Sequence, residues 1–214
     1  MRIKILSVLA LTLLITTAMI LPNQDLNTNG YSVGDAAIGF DLKNASNTMN
    51  GIGENVSLGD YKNAKGYIVI FTCNHCPFAV AYEDRINALH KKYSPKGYPV
   101  IAINPNDAEA YPSDSYGEMK TRAKDKSFAF AYLHDATQKI AKAYGATKTP
   151  HVYILQKKGE KNYVRYIGAI DDNTYNADEV KETYAENAVD ALLKGSKVSK
   201  NYTRAVGCSI KWKK

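Results

Sequence analysis

The sequence predicts an α/β domain, a central mixed sheet flanked by helices, and three stretches carry that prediction. The first is the apolar run Tyr67 to Phe71, which stops abruptly at Thr72-Cys73-Asn74-His75-Cys76-Pro77 and is followed by a helix-like pattern from about Phe78 to Tyr93. The second is Tyr98-Pro99-Val100-Ile101-Ala102-Ile103, a continuous apolar strand of the kind buried on both faces in parallel sheets. The third is Val152-Tyr153-Ile154-Leu155, introduced by Thr149-Pro150-His151 and joined to Tyr163–Ile167 by a turn at Lys157-Lys158-Gly159. That hairpin is antiparallel, so the sheet is mixed. At 214 residues, 45% hydrophobic and 23% charged, the chain is long enough for one domain with a sizeable core.

The elements follow in order. Arg2 and Lys4 precede an uncharged run from Ile5 to Leu21, which reads as a secretory signal peptide over residues 1–22. At this length it also suits a short uncleaved anchor. Both readings place the protein outside the cytoplasm, in the periplasm or tethered to the inner membrane. Asn23 to Tyr31 is a polar tether. Ile38, Phe40 and Leu42 alternate with polar residues, a strand signal, and Asn44 to Asn55 is turn-rich. The helix after the cysteines is expected to bury Phe78, Tyr82, Ile86 and Leu89. Ser115 to Lys126 forms a charged helix with Ser115 and Glu118 spaced for a capping box. Phe128 to Leu133 is a short strand, and Thr137 to Tyr144 a helix ended by Gly145. A closing helix spans Ala177 to Leu193, with Val180, Tyr184, Ala188 and Leu192 on one face. The core domain is thus 31–195.

Residues 196–214 form a tail with six basic residues and no acid, so the net charge of +7 sits largely in leader and tail. A nucleic-acid ligand would need a basic face on the folded domain, and none is predicted. The tail is read as a solvated end.

The chemistry centres on Cys73 and Cys76. Two cysteines two residues apart at a strand-to-helix junction read as a redox dithiol. No second C-x-x-C or H-x-x-x-H completes a zinc site. A free cysteine is only about 3% thiolate at pH 7, so one sulfur must be made more acidic. Backbone N–H groups at a helix start and a nearby cation do this. His75 is the candidate cation, its ring within reach of Cys73. Cys73, the more exposed, is assigned as attacking thiol, and Cys76, one turn into the helix, as the resolving thiol. Asn104 and Asn106 end a strand parallel to the one before Cys73. They therefore either approach the dithiol along the shared carboxyl edge or form a solvated turn. Cys208, the odd thiol, is read as a buried small apolar residue, with a second resolving cysteine as the alternative.

The dithiol, Tyr144-Gly145 and Pro150 together resemble the thioredoxin superfamily, and the span from Cys76 to Pro150 is longer by one helix–strand unit. Phe71-Thr72-Cys73-Asn74-His75-Cys76-Pro77, Ile103-Asn104-Pro105-Asn106-Asp107, Thr149-Pro150-His151, Gly168-Ala169-Ile170-Asp171-Asp172 and Gly207-Cys208-Ser209-Ile210-Lys211 are similar to the peroxiredoxin-like redoxin family of the AhpC/TSA class in exported bacterial proteins. The resemblance implies a thioredoxin-like fold with a redoxin-type insertion, a cis Thr149–Pro150 bond beside the cysteines, and supporting roles for Thr149 and Pro150.

Three functions compete. The leading one is a thiol–disulfide oxidoreductase acting on exported protein thiols and disulfides, with no cofactor or metal beyond the Cys73–Cys76 pair. The second is a thiol peroxidase. Peroxiredoxins carry P-x-x-x-T-x-x-C, and this chain has Gly66 and Ile70 where the Pro and Thr belong. The third is a copper(I) carrier using Cys73, Cys76 and His75 or His151.

Overall fold

The computed structural model describes residues 29–46 and 54–214. The leader and part of the turn-rich stretch lie outside the described residues. No helix among the described residues is long and apolar enough to cross a membrane.

Strand β1 is Ala36–Ala37, β2 Asp41–Asn44 and β3 Asn55–Ser57. The central strand β4, Gly66–Phe71, leads into helices α1, Pro77–Ala81, and α2, Glu83–Tyr93. Then come β5, Val100–Asn104; α3, Tyr116–Asp125; β6, Ala131–His134; and α4, Lys139–Tyr144. The chain continues as β7, Lys148–Thr149; β8, His151–Lys158; β9, Lys161–Gly168; α5, Tyr184–Leu193; and β10, Cys208–Ser209.

Eight strands form one sheet in the order β1-β9-β8-β4-β5-β6-β2-β3, and β10 pairs with β7 in a separate two-stranded ribbon. β4, β5 and β6 run parallel, whereas β8 is antiparallel to β4. The sheet is therefore mixed and flanked by helices, as the sequence predicts. The pair α3 and β6, between β5 and α4, is the added helix–strand unit.

Side chains of a strand alternate between its faces, and β4 shows why both faces are apolar. Ile68 and Ile70 join Ile86, Leu89, Val100, Met119 and Val189 in one core layer. Tyr67, Val69 and Phe71 join Ile101, Ile103, Leu133, Ala141 and Tyr144 in the layer on the other side. Burying each such aliphatic chain contributes about 1.5–3 kcal/mol, so β4 is anchored from both sides. Gly145 closes α4 at φ +73, a left-handed cap that glycine adopts without strain.

Four expectations change. The helix after the cysteines is broken at Tyr82, whose N–H bonds to Ala79 O in a tighter turn while its hydroxyl donates to Asp171 Oδ1 at 2.6 Å. Phe78 is only half-buried and packs against Tyr175, ring centres 5.4 Å apart. The closing helix starts at Tyr184 rather than Ala177, because Asp172 Oδ1 accepts the N–H groups of Lys181 and Glu182 and holds that stretch in a loop. The tail is not a solvated end. Thr203 N donates to Ile167 O, Lys211 N to Asn106 Oδ1, and Gln138 Nε2 to Lys211 O, while Ile210 enters the core. Residues 196–214 therefore belong to the folded unit. Their charge gave the wrong impression, since backbone groups and one isoleucine do the anchoring.

Candidate active site

β4 ends at Phe71, and Thr72 N still donates to Ile103 O of β5. The chain then turns through Cys73-Asn74-His75 before α1 begins. Cys76 is the N-cap of α1 and Pro77 its first residue, a position where the absent N–H of proline costs nothing. This corrects the expected placement: Cys76 stands at the helix start, not one turn inside it. Both cysteines are buried, with 3% of Cys73 and none of Cys76 exposed.

The two thiols share one small buried cluster with Ala79. Thr149 touches both. Its Oγ1 lies 3.3 Å from Cys73 Sγ and its carbonyl oxygen 3.2 Å from Cys76 Sγ. The Thr149–Pro150 bond is cis. Thr149 and Pro150 thus stand beside the dithiol, where the resemblance puts them.

Below Cys73 lies a polar cage built on Asp114, whose side chain is fully buried. Asp114 Oδ1 accepts from Asn74 N at 2.7 Å and from Asn104 Nδ2 at 3.1 Å. Asp114 Oδ2 meets His75 Nδ1 at 2.5 Å and accepts from Asn106 Nδ2 at 3.0 Å. Tyr132 OH donates to Asn74 Oδ1 at 2.9 Å. Of the two readings of Asn104 and Asn106, the structure selects the approach to the dithiol, made through Asp114. Tyr111 stacks on the His75 ring at 4.9 Å.

His75 therefore faces Asp114, not the sulfur of Cys73 alone, and the resting charge is distributed against expectation. The Cys73 thiol is pushed well above the ordinary range by the hydrogen bond it shares with Cys76, then by burial and by the Asp114 carboxylate. Cys76 is pulled down to about 4, first by the bond from Cys73, then by the Cys208 thiol and the N–H groups of Ala79 and Cys208. The two sulfurs titrate as one pair: the Asp114 carboxylate opposes charge on Cys73, and Cys76 S–H donates to Thr149 O at 3.2 Å.

Cys208 is half-buried rather than buried, and it packs against this pair. Burial and the neighbouring Cys76 sulfur raise its thiol to about 11. His151 does not join the cluster. It lies on β8, its Nδ1 accepting from Thr147 N at 3.3 Å, and burial lowers it to about 4.

Cys73, His75 and Asp114 each place one ligand-type atom within 4.8 Å of the others. The donor set fits a metal poorly. Each Asp114 oxygen already has two polar partners, so the carboxylate lone pairs are committed. Asp114 is the site residue that sequence reasoning missed. Ser113-Asp114-Ser115 reads as helix capping, and nothing local reveals that the aspartate turns inward.

Residues 33–166 match the AhpC/TSA family. The chain belongs to that family. This redoxin-type chain is similar to an uncharacterized conserved protein from Geobacillus kaustophilus, at 39% identity and TM-score 0.76 over 86% of this chain and 94% of that one. It is similar to a hypothetical protein from Sinorhizobium meliloti 1021, at 33% identity and TM-score 0.76 over 86% and 97%. A protein from Chlorobium tepidum assigned as the thiol:disulfide interchange protein DsbE shares the fold, at 20% identity and TM-score 0.57 over 76% and 98%. Nothing matches among curated proteins.

Proposed function

We propose that this redoxin is a thiol–disulfide oxidoreductase that exchanges disulfides with exported proteins through Cys73 and Cys76. One observation carries the reading: two buried cysteines pack together at a helix start, with Thr149 against both sulfurs. In the reducing direction, Cys73 Sγ attacks one sulfur of a partner disulfide. It attacks as the thiolate of the pair, the remaining proton staying on Cys76, whose S–H donates to the Thr149 carbonyl. The partner's second sulfur leaves as a thiolate. Cys76 Sγ next attacks Cys73 Sγ of the mixed disulfide, its proton going to the departing partner sulfur. The partner gains two electrons, and the Cys73–Cys76 disulfide holds the oxidised state.

Asp114 is a positioning residue in this scheme. Its bond to Asn74 N sets the loop between the cysteines, and its charge keeps the Cys73 proton in place until a partner arrives. The leader supports work outside the cytoplasm, where protein disulfides persist; cell fractionation with amino-terminal sequencing of the exported form tests that placement.

Peroxide is the lesser substrate. Ile70 supplies no hydroxyl at the position the peroxiredoxin pattern requires, although Thr149 Oγ1 brings one to Cys73 from another strand. Arg85 and Arg122 are paired with Asp171 and Glu83. Insulin-disulfide reduction and hydrogen peroxide turnover, each run beside Cys73→Ser, separate the two activities. Insulin reduction lost in the variant supports disulfide exchange; peroxide turnover without insulin reduction reverses the ranking. A reduction potential near about −270 mV would mark a reductase and one near about −120 mV an oxidant.

A further inference from the structure

The dithiol chemistry leaves Cys208 unused, yet the fold brings it to the site by a specific device. β10 pairs antiparallel with β7, and Cys208 lies directly opposite Thr149, the residue that touches both active-site sulfurs. The residue before it allows the approach. A Cβ on Gly207 would stand 2.2 Å from Thr149 O and 3.1 Å from Pro150 N, so a side chain there would drive the strand away. As a result the Cys208 side chain packs with Cys73, Cys76, Ala79 and Phe78. Both Cys73 and Cys208 lower the Cys76 thiol. The three cysteines thus share one cluster, from the buried Cys73 and Cys76 to the half-buried Cys208.

We infer that Cys208 is the outer member of a three-sulfur relay, which moves the disulfide from Cys73–Cys76 to Cys76–Cys208 and presents it at the surface to the thiol that resets the protein. The inference rests on the Cys73–Cys76 exchange proposed above, which supplies the first disulfide. Cys208 Sγ, as thiolate, attacks Cys76 Sγ. The Cys76–Cys208 bond forms, the Cys73–Cys76 bond breaks, and the electron pair leaves on Cys73 Sγ, which takes up the proton that Cys208 gave up. No net oxidation occurs, so no further reagent is needed. An external thiol, for which glutathione is the probe, then attacks Cys208 Sγ and releases Cys76 Sγ; a second glutathione attacks the mixed disulfide and departs as oxidised glutathione, leaving Cys76 and Cys208 as thiols.

The surroundings also gate the step. In the reduced site the electron-rich Cys76 sulfur discourages ionisation of Cys208, while Lys211 and Lys148 favour it. Once Cys76 is tied up in a disulfide, its charge is gone and the two lysines remain. Cys208 thus becomes a better nucleophile only when there is a disulfide to take.

The full chain is oxidised with diamide and its linkages are mapped by peptide mass spectrometry under non-reducing conditions. The relay predicts that wild-type protein yields both Cys73–Cys76 and Cys76–Cys208. It predicts that Cys73→Ser loses both remaining free thiols to a Cys76–Cys208 bond. Reduced glutathione should restore thiols in oxidised Cys208→Ser about tenfold more slowly than in wild type, the outer sulfur being gone. Two free thiols persisting in oxidised Cys73→Ser, with Cys73–Cys76 alone in wild type, overturn the relay and leave the dithiol reading intact. Failure of Cys208→Ser to form Cys73–Cys76 overturns the dithiol reading itself. The wild-type map involves no substitution, so the result does not depend on how a variant folds.

Discussion

The two sulfurs of one motif sit in opposite surroundings. Around Cys73 are burial, the Thr149 hydroxyl and a buried carboxylate held by three asparagines and a histidine. Around Cys76 are N–H groups at a helix start and a third thiol. The first setting opposes a charge, and the second favours one. The difference teaches that a C-x-x-C motif supplies two interchangeable sulfurs, and that segments far away in sequence decide which of them carries charge.

The comparison breaks most completely if either sulfur is removed. Cys76→Ser should trap the mixed disulfide with a partner and abolish turnover, and Cys73→Ser should prevent the mixed disulfide from forming; insulin reduction with gel analysis of adducts reads both. Next in size is the cage. Asp114→Ala leaves Asn74 N, Asn104 and Asn106 without their acceptor in a buried site, and should lower the unfolding free energy by about 3–5 kcal/mol in urea titration. An unchanged midpoint would mean the cage does not hold the loop.

A pH measurement sharpens the comparison from outside the dithiol. His151 is lowered to about 4 by burial, against about 6.5 in the unfolded chain. Between these values the unfolded state binds a proton that the folded state refuses. Stability from this group is therefore complete above about pH 6.5 and is lost as pH falls toward 4, by up to about 3 kcal/mol. His151→Gln should flatten that part of the stability–pH curve. Within the dithiol, ultraviolet thiolate absorbance of the reduced protein should persist below the pH at which a free cysteine loses it, and fall in Cys76→Ser at neutral pH. Absorbance that instead disappears in Cys73→Ser but survives in Cys76→Ser would exchange the roles. The smallest effect expected is that of Thr149→Val. Losing one hydroxyl partner of Cys73 should move the reduction potential by no more than about 30 mV, the equivalent of one good hydrogen bond.

Much of the scaffold was legible. Period-two alternation and continuous apolar runs located β4, β5, β8 and β9, because strands buried on both faces need no polar residues. The cap at Ser115 was legible too: its Oγ accepts from Glu118 N at 3.4 Å. The break at Tyr82 and the late start of α5 were not, since each depends on an aspartate, Asp171 or Asp172, that reaches the backbone or a hydroxyl from another segment. Asp114 was hidden for the same reason. Its sequence neighbours are those of a surface cap, while its partners lie on two separate stretches of chain, Asn74-His75 and Asn104 to Asn106.

By itself the sequence determined the α/β class and the position of the dithiol at a strand-to-helix junction, while the proline beside it was implied by the family resemblance. The first two follow from local hydrophobic pattern and from residue types whose chemistry is local. Only the tertiary structure decided that the two sulfurs meet unequal surroundings, that His75 turns to Asp114, and that the tail returns to bring Cys208 against the pair. Proton position depends on which donors and charges lie within a few ångströms, and those neighbours come from segments that meet only when the chain folds.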